Sequence, residues 1–272
     1  MKPSNGTQEA WVSAGSYRTY YQTAGQGKTI LLLHGAGGYG SVFSSTIPLL
    51  SEKNRVITPD IVGHGQTEGP GILYTEQAYC SWLKSFITAL DLERVIIIGH
   101  SQGGSIALRF ASRYPEFVSH LVLVNAISLG IPSVRETLLL LLAMFSPSRR
   151  HTLDLVGTVM FSGPKLKRRE MASRFFRSEV SIPKGIRGFI WMLLRTWQIA
   201  LPVSRRRLLN LSVPVLLVWG EDDAYFPLSH ARRVVHLRPQ WELKAIQNAG
   251  HVPFIEQPEA FISALESFLG RS

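Results

Sequence analysis

Val95-Ile96-Ile97-Ile98-Gly99-His100-Ser101-Gln102-Gly103, continued by Ser105-Ile106-Ala107-Leu108-Arg109-Phe110, decides how this chain is read. Four consecutive apolar β-formers predict a strand buried on both faces, and the segment after Gly103 has helical spacing. Between them stands G-x-S-x-G. A serine at such an elbow needs a strained backbone, and glycines two before and two after it let strand and helix approach closely. The turn also aims the following backbone N–H groups at whatever binds beside the hydroxyl. The competing role for Ser101 is a helix N-cap, which serine fills well. The strand-turn-helix setting favours a nucleophile.

Outward from this stretch, residues 29–33, 56–58, 121–124 and 215–219 are further continuous apolar runs, separated by longer amphipathic segments. That pattern predicts an α/β fold, a mostly parallel central sheet flanked by helices. Residues 9–25, where Trp11, Ser13, Tyr17, Thr19 and Tyr21 alternate, predict an antiparallel edge hairpin. The alternation stops after Asn125 and resumes at Pro214. Between them, helical spacing, many arginines and breakers at Pro132, Pro147, Gly163-Pro164 and Pro183 predict a helical insertion over the sheet. The expected organisation is a core of residues 1–128 and 211–272 with a basic helical cap at 129–210.

A chain of 272 residues that is 45% apolar and 18% charged can bury a sizeable core, which excludes fibrous, disulfide-stapled and wholly disordered classes. Cys80 is the single cysteine, so no intrachain disulfide forms and a reducing compartment is expected. The formal charge of +10 invites a nucleic-acid or membrane-surface reading. Its distribution is uneven: residues 131–210 hold 15 Lys/Arg against 4 Asp/Glu, and the rest hold 14 against 15. The basicity belongs to the insertion. No apolar core follows Lys2, so a secretory signal is not expected. The longest apolar run, 138–145, is far short of the ~18 residues that suggest a membrane span. A soluble, cytoplasmic protein is the expectation.

A serine hydroxyl is a weak nucleophile until a base takes its proton, and the base needs an anion to hold its tautomer. Of eight histidines, His120, His151, His230 and His236 fall in helices, at a strand start or in the basic insertion. His34 ends a strand in a glycine-rich loop, His64 sits between Gly63 and Gly65, and His100 must point away from Ser101 at a tight turn. His251, in Asn248-Ala249-Gly250-His251-Val252-Pro253-Phe254, follows the last expected strand (243–246) and precedes the C-terminal helix. It is the candidate base. For the acid, Gly220-Glu221-Asp222-Asp223-Ala224-Tyr225-Phe226-Pro227 follows strand 215–219, where a carboxylate can reach the histidine loop across the sheet's carboxyl edge. Asp222 and Asp223 both qualify, Glu221 less well.

With these segments in view, the chain resembles the α/β-hydrolase fold family, in particular its serine-nucleophile esterases, lipases and carbon–carbon bond hydrolases. The resemblance runs from about residue 15 to 270. His34-Gly35-Ala36-Gly37-Gly38 is similar to the family's oxyanion loop, and Asp60-Ile61-Val62-Gly63-His64-Gly65-Gln66-Thr67 to its D-x-x-G-H-G-x-[ST] segment. Gly220-x-x-Asp223-x-x-x-Pro227 is similar to its acid loop. The resemblance implies a triad of Ser101, Asp223 and His251, and it favours Asp223 over Asp222. It also implies an oxyanion hole from the backbone N–H groups of Ala36 and Gln102, where losing one donor typically costs ~10²–10³ in rate. No cofactor or metal is called for.

One rival signal exists. Gly35-Ala36-Gly37-Gly38-Tyr39-Gly40 matches G-x-G-x-x-G, and Asp60 stands at dinucleotide-fingerprint spacing beyond it. A dehydrogenase, however, leaves Ser101, Asp223 and His251 unexplained.

The insertion matches the position of the family's cap. Residues 138–145, Phe161, Phe175-Phe176, Trp191, Met192, Leu193 and Trp197 either line an apolar acyl pocket or pack the cap onto the sheet. Arg149-Arg150, Lys165, Lys167-Arg168-Arg169 and Arg205-Arg206-Arg207 form either a solvated face or a cationic rim for anionic lipid surfaces or acidic substrates. No recognised nucleic-acid module accompanies the charge. The expected function is a serine hydrolase of carboxylic esters with an apolar group. The alternatives are a carbon–carbon bond hydrolase, disfavoured by Val252 where that subgroup has tryptophan, and a non-catalytic binding protein.

Overall fold

The computed structural model describes residues 6–69, 74–175 and 198–270. Eight strands form one sheet: β1 (Gln8–Ala14), β2 (Tyr17–Ala24), β3 (Lys28–Leu33), β4 (Asn54–Pro59), β5 (Val95–His100), β6 (Val118–Val124), β7 (Val215–Gly220) and β8 (Glu242–Ile246). Their spatial order is β1-β2-β4-β3-β5-β6-β7-β8. β1 and β2 pair antiparallel, as the alternating sequence predicts, and β2 pairs antiparallel with β4. Every later pairing is parallel.

The apolar runs are continuous because both faces of the sheet are covered. Leu31, Leu33, Ile97, Leu121, Leu123, Leu217 and Trp219 enter one core with helix α2 (Glu76–Ala89) and helix α3 (Gln102–Arg113). Ile30, Leu32, Ile96, Ile98, Val122, Val124, Leu216 and Val218 enter the other, with Ile47 and Leu50 of helix α1 (Ile47–Ser51) and with Phe254, Phe261 and Phe268 near the C-terminus. Successive residues of a strand thus supply opposite cores, as the two-residue period of a strand requires. Cys80 lies fully inside the first core, and burial pushes its thiol up to about 12.

The chain leaves β3 in one direction to form β4 and returns on β3's other side as β5. That reversal opens a crevice beyond the carboxyl ends of β3 and β5, where ligands of open α/β sheets bind. The loop after β3 and the turn after β5 both face it.

Among the described residues, the helices α4 (Val134–Phe145), α5 (Arg149–Met160) and α6 (Lys165–Phe175) follow β6, and a short helix, α7 (Arg205–Asn210), precedes the return to the sheet at β7. Among the described residues no helix is long and apolar enough to cross a membrane.

Candidate active site

The turn after β5 carries Ser101 at φ 50° and ψ −112°, a left-handed backbone that a non-glycine residue adopts at a cost of about 1–3 kcal/mol. Surrounding bonds hold it there. The Ser101 N–H donates to the Val124 carbonyl at 2.9 Å, and its own carbonyl accepts from Ser105 and Ile127 at 3.2 and 3.3 Å. The glycines are steric necessities: a Cβ on Gly103 would lie 2.3 Å from the Leu33 carbonyl, and one on Gly99 2.5 Å from the Gly103 carbonyl. Ser101 opens α3 without capping it through its side chain, which leaves the hydroxyl to other work.

That hydroxyl lies 3.1 Å from His251 Nε2, and His251 Nδ1 lies 2.8 Å from Asp223 Oδ2. All three side chains are buried. Asp222 is exposed and turns the other way, accepting from the Ser162 hydroxyl. The structure thus brings Ser101, His251 and Asp223 together and leaves Asp222 and Glu221 outside the chain of contacts.

Asp223 is held from four directions. Oδ1 accepts from the N–H groups of Tyr225 and Phe226 at 2.9 and 3.0 Å. Oδ2 accepts from His251 and, at 2.6 Å, from the side-chain amide of Asn125. Asn125 sits just past β6 at φ 45°, and its Oδ1 accepts from Gly220 N–H at 3.3 Å. The rings of Phe226 and Tyr225 flank the His251 imidazole at centroid distances of 5.7 and 5.8 Å.

The His251 loop is fastened by its backbone. The His251 N–H donates to the Met160 carbonyl at 2.8 Å, at the end of α5. Glu256 accepts from the N–H groups on either side, Gly250 at 2.8 Å and Val252 at 3.3 Å, and from Ser162 at 2.7 Å. Burial raises the Glu256 carboxyl above its usual range, against the pull of those three donors.

His100 behaves as expected for a residue next to the elbow serine. Its ring turns from Ser101, and Nε2 donates to the His251 carbonyl at 2.8 Å. Burial, reinforced by the neighbouring His251, drives its pKa well below the ordinary value. His34 is likewise structural: Nδ1 donates to the Gly35 carbonyl at 2.8 Å and Nε2 accepts from Ile61 N–H at 3.0 Å. Burial pushes its pKa down to about 3. A neutral imidazole therefore pins the loop after β3 to the loop after β4.

The loop after β3 lies against the serine, since a Cβ on Gly35 would come 3.2 Å from Ser101 Cβ. Ala36 follows in that loop. Gln102 begins α3, so its N–H has no acceptor within the helix. Its side chain donates to Tyr79 Oη at 3.1 Å, away from the turn.

The dinucleotide signal has another explanation. The Asp60 carboxylate accepts from Gly40 N–H and Gln66 N–H, both at 2.7 Å, and so ties two loops together. The glycine-rich stretch leads into a 3₁₀ turn of four residues, Gly40–Phe43, rather than the long helix that would face a pyrophosphate.

In the apolar run 138–145, Ala143 and Met144 are buried and Leu139, Leu140 and Leu141 half-buried, as packing requires, but three positions differ. Leu138, Leu142 and Phe145 are 55%, 59% and 56% exposed, so they are not packed against the rest of the described chain. The reason is geometric: α4 is apolar nearly all round, and only the side bearing Ala143 and Met144 is covered. Phe161 is buried and meets Phe175 edge-on at 6.0 Å. Phe176, Trp191, Met192, Leu193 and Trp197 lie outside the described residues. Asn125 and Glu256 are absent from the sequence-derived site. For Asn125 the only signal is a polar residue ending an apolar strand, and for Glu256 there is none.

A serine elbow, a histidine loop and an acidic loop gathered at the carboxyl edge of a mostly parallel sheet define a class of α/β protein organised around a strand-turn-helix serine. The chain belongs to the alpha/beta hydrolase fold family, whose model matches residues 28–258. It is similar to the 2-hydroxy-6-oxo-6-(2'-aminophenyl)hexa-2,4-dienoic acid hydrolase of Metapseudomonas resinovorans, at 30% identity over 97% of this chain and 91% of the relative. A solved meta-cleavage product hydrolase from Pseudomonas fluorescens IP01 is 26% identical with a TM-score of 0.82, over 96% of this chain and 97% of that one. The carboxylesterase CesB of Bacillus subtilis shares the fold, with a TM-score of 0.79 at 22% identity over 98% and 92% of the two chains.

Proposed function

We propose that the protein is a serine hydrolase cleaving carboxylic esters that carry an apolar group. The observation that carries this reading is the linked geometry of Ser101 Oγ, His251 and Asp223, at 3.1 and 2.8 Å. Ser101 Oγ attacks the carbonyl carbon as His251 Nε2 takes its proton. Asp223 accepts the Nδ1–H bond, fixes the tautomer and stabilises the imidazolium. The backbone N–H groups of Ala36 and Gln102 receive the oxyanion. The imidazolium gives its proton to the departing alcohol. Water, deprotonated by the same histidine, then releases the acid and restores Ser101.

A second reading, hydrolysis of a carbon–carbon bond by the same residues, is favoured by the relatives named for that reaction, at 30% and 28% identity. Against it stands Val252 in place of the tryptophan that follows the histidine in that subgroup. On either reading the insertion at residues 129–210 has the place of a cap, and its described helices α4, α5 and α6 would belong to it. Its charge, 15 basic against 4 acidic residues over 131–210, supports a cationic face toward an anionic surface or an acidic substrate.

Fluorophosphonate labelling of the folded protein tests the nucleophile. Ser101 takes the label, and Ser101→Ala removes both labelling and p-nitrophenyl ester turnover while the melting temperature holds. Labelling elsewhere, or unchanged turnover, sinks the proposal. A panel of esters of increasing chain length beside ring-fission diketones separates the two chemistries.

A further inference from the structure

Helix α4 presents an uncovered apolar stripe. Val134, Leu138, Leu142 and Phe145 are 74%, 55%, 59% and 56% exposed, and Ile131, just before the helix, is 71% exposed. At 100° per residue the four helical positions fall within about 80° of arc, and they run about 16 Å along the axis. Scattered exposed leucines are ordinary, but a contiguous stripe at helical spacing marks an interaction face.

The surroundings of the stripe are cationic. Arg135 borders it with its side chain 72% exposed, and Arg149 and Arg150 are exposed just beyond its carboxyl end. Between residues 131 and 153 the only acidic side chain is Glu136, which is buried and paired with Arg135. An apolar face rimmed by cations fits the boundary between headgroups and acyl chains of an anionic bilayer. A second copy fits it poorly, because two such faces would set like charges together.

The start of α4 is joined to the acid loop. Ser133 N–H donates to the Tyr225 carbonyl at 2.9 Å, and Tyr225 N–H in turn donates to Asp223. A lipid-seated α4 would therefore hold the candidate active site beside the bilayer.

We propose that the α4 stripe, with Arg135, Arg149 and Arg150, seats the protein on an anionic lipid surface. This deepens the cap reading above and rests on it, but not on the chemistry at Ser101, because adsorption is measured without turnover.

The full chain is sedimented with vesicles of phosphatidylcholine alone and of equal parts phosphatidylcholine and phosphatidylglycerol, at low and high salt. Binding to the anionic vesicles is expected, weakened by salt, with little on the neutral ones. Leu138→Asp with Phe145→Asp, and separately Arg149→Glu with Arg150→Glu, should each weaken it about tenfold or more. Melting temperature and turnover of a soluble ester should stay unchanged. Failure of the wild-type chain to bind, or equal binding by the variants, overturns the proposal. A dimer in sedimentation equilibrium that Leu138→Asp with Phe145→Asp dissociates also overturns it, by giving the stripe to a second copy.

Discussion

Asn125 bears two loads that substitution can separate. Its side-chain amide donates to Asp223 Oδ2 at 2.6 Å and its Oδ1 accepts from Gly220 N–H at 3.3 Å, while its backbone stands at φ 45°. Hydrogen bonds to a charged group contribute about 1.5–3 kcal/mol. If Asp223 must hold the proposed base in the transition state, losing that donor lowers kcat/KM by about 10- to 100-fold. The backbone makes a different demand. At most sites alanine is more stable than glycine by about 0.5–1 kcal/mol, but left-handed backbone costs alanine about 1–2 kcal/mol. At this position the order should reverse, with Asn125→Gly the more stable by about 1 kcal/mol. Both variants lose the amide, so both should lose rate equally. Asn125→Asp replaces the donor with a second carboxylate against Asp223, and repulsion there should make it the poorest catalyst of the three. Urea denaturation reads the backbone effect and p-nitrophenyl ester kinetics the amide. Wild-type kcat/KM in Asn125→Gly would refute the positioning role, and alanine more stable than glycine would refute the strain.

Asp223→Asn should lower kcat by about 10⁴, the cost of a wrong imidazole tautomer, whereas Asp222→Asn should stay within about twofold. Equal losses in the two purified variants would contradict the separation in burial and contact between these neighbours. Stability should also fall as pH drops from 6.5 to 5.5. His34, pushed down to about 3 by burial, stays neutral in the fold while the unfolded chain takes up a proton. The unfolded state then binds more protons, so unfolding free energy falls with pH, by about 1 kcal/mol from His34 across that unit. His100, His120 and His230, all lowered chiefly by burial, add in the same direction. Urea titrations at the two pH values give the difference, and a flat response would mean that these rings are solvated.

Much of this was legible where local pattern and tertiary role coincide. The continuous apolar runs had to be strands covered on both faces, and the glycines around Ser101 had to permit an approach that no Cβ allows. His251 was separable from seven other histidines because the loop after the last strand ends at the same sheet edge as the elbow. The choice between Asp222 and Asp223 rested on resemblance, since adjacent residues on a loop differ in direction rather than in pattern. Asn125 escaped because its partner lies 98 positions away, and sequence periodicity reports only which face a residue takes. The exposure of the α4 stripe was not legible for a related reason. An unbroken apolar run is compatible with burial all round, and only the neighbouring elements decide which side stays open.

The members of the proposed triad are not anchored alike. Ser101 hangs from β5 and β6 and Asp223 from β7, all within the sheet, but the His251 backbone bonds to Met160 at the end of α5. Through Glu256 the same loop reaches Ser162. Chain that leaves the sheet after β6 thus holds the proposed base in place. Where the described chain resumes, it is fastened to the helix that Ser101 opens. Arg109, its side chain 4% exposed, donates to the Leu201 carbonyl at 2.7 Å and the Gln198 carbonyl at 3.4 Å, and pairs with Glu76 at 3.0 Å. The Ser105 hydroxyl bonds to the Ile199 carbonyl. Pulling residues 198–201 away would take two carbonyl acceptors from a buried guanidinium and one from the Ser105 hydroxyl, and a hydrogen bond to a charged group contributes about 1.5–3 kcal/mol. Displacing the end of α5 would instead remove the His251–Met160 backbone hydrogen bond and, with Ser162, the bonds to Glu256 and Asp222. Motion of the insertion at its α5 end would therefore disturb the position of the proposed base, and motion at residues 198–201 the helix that carries the proposed nucleophile.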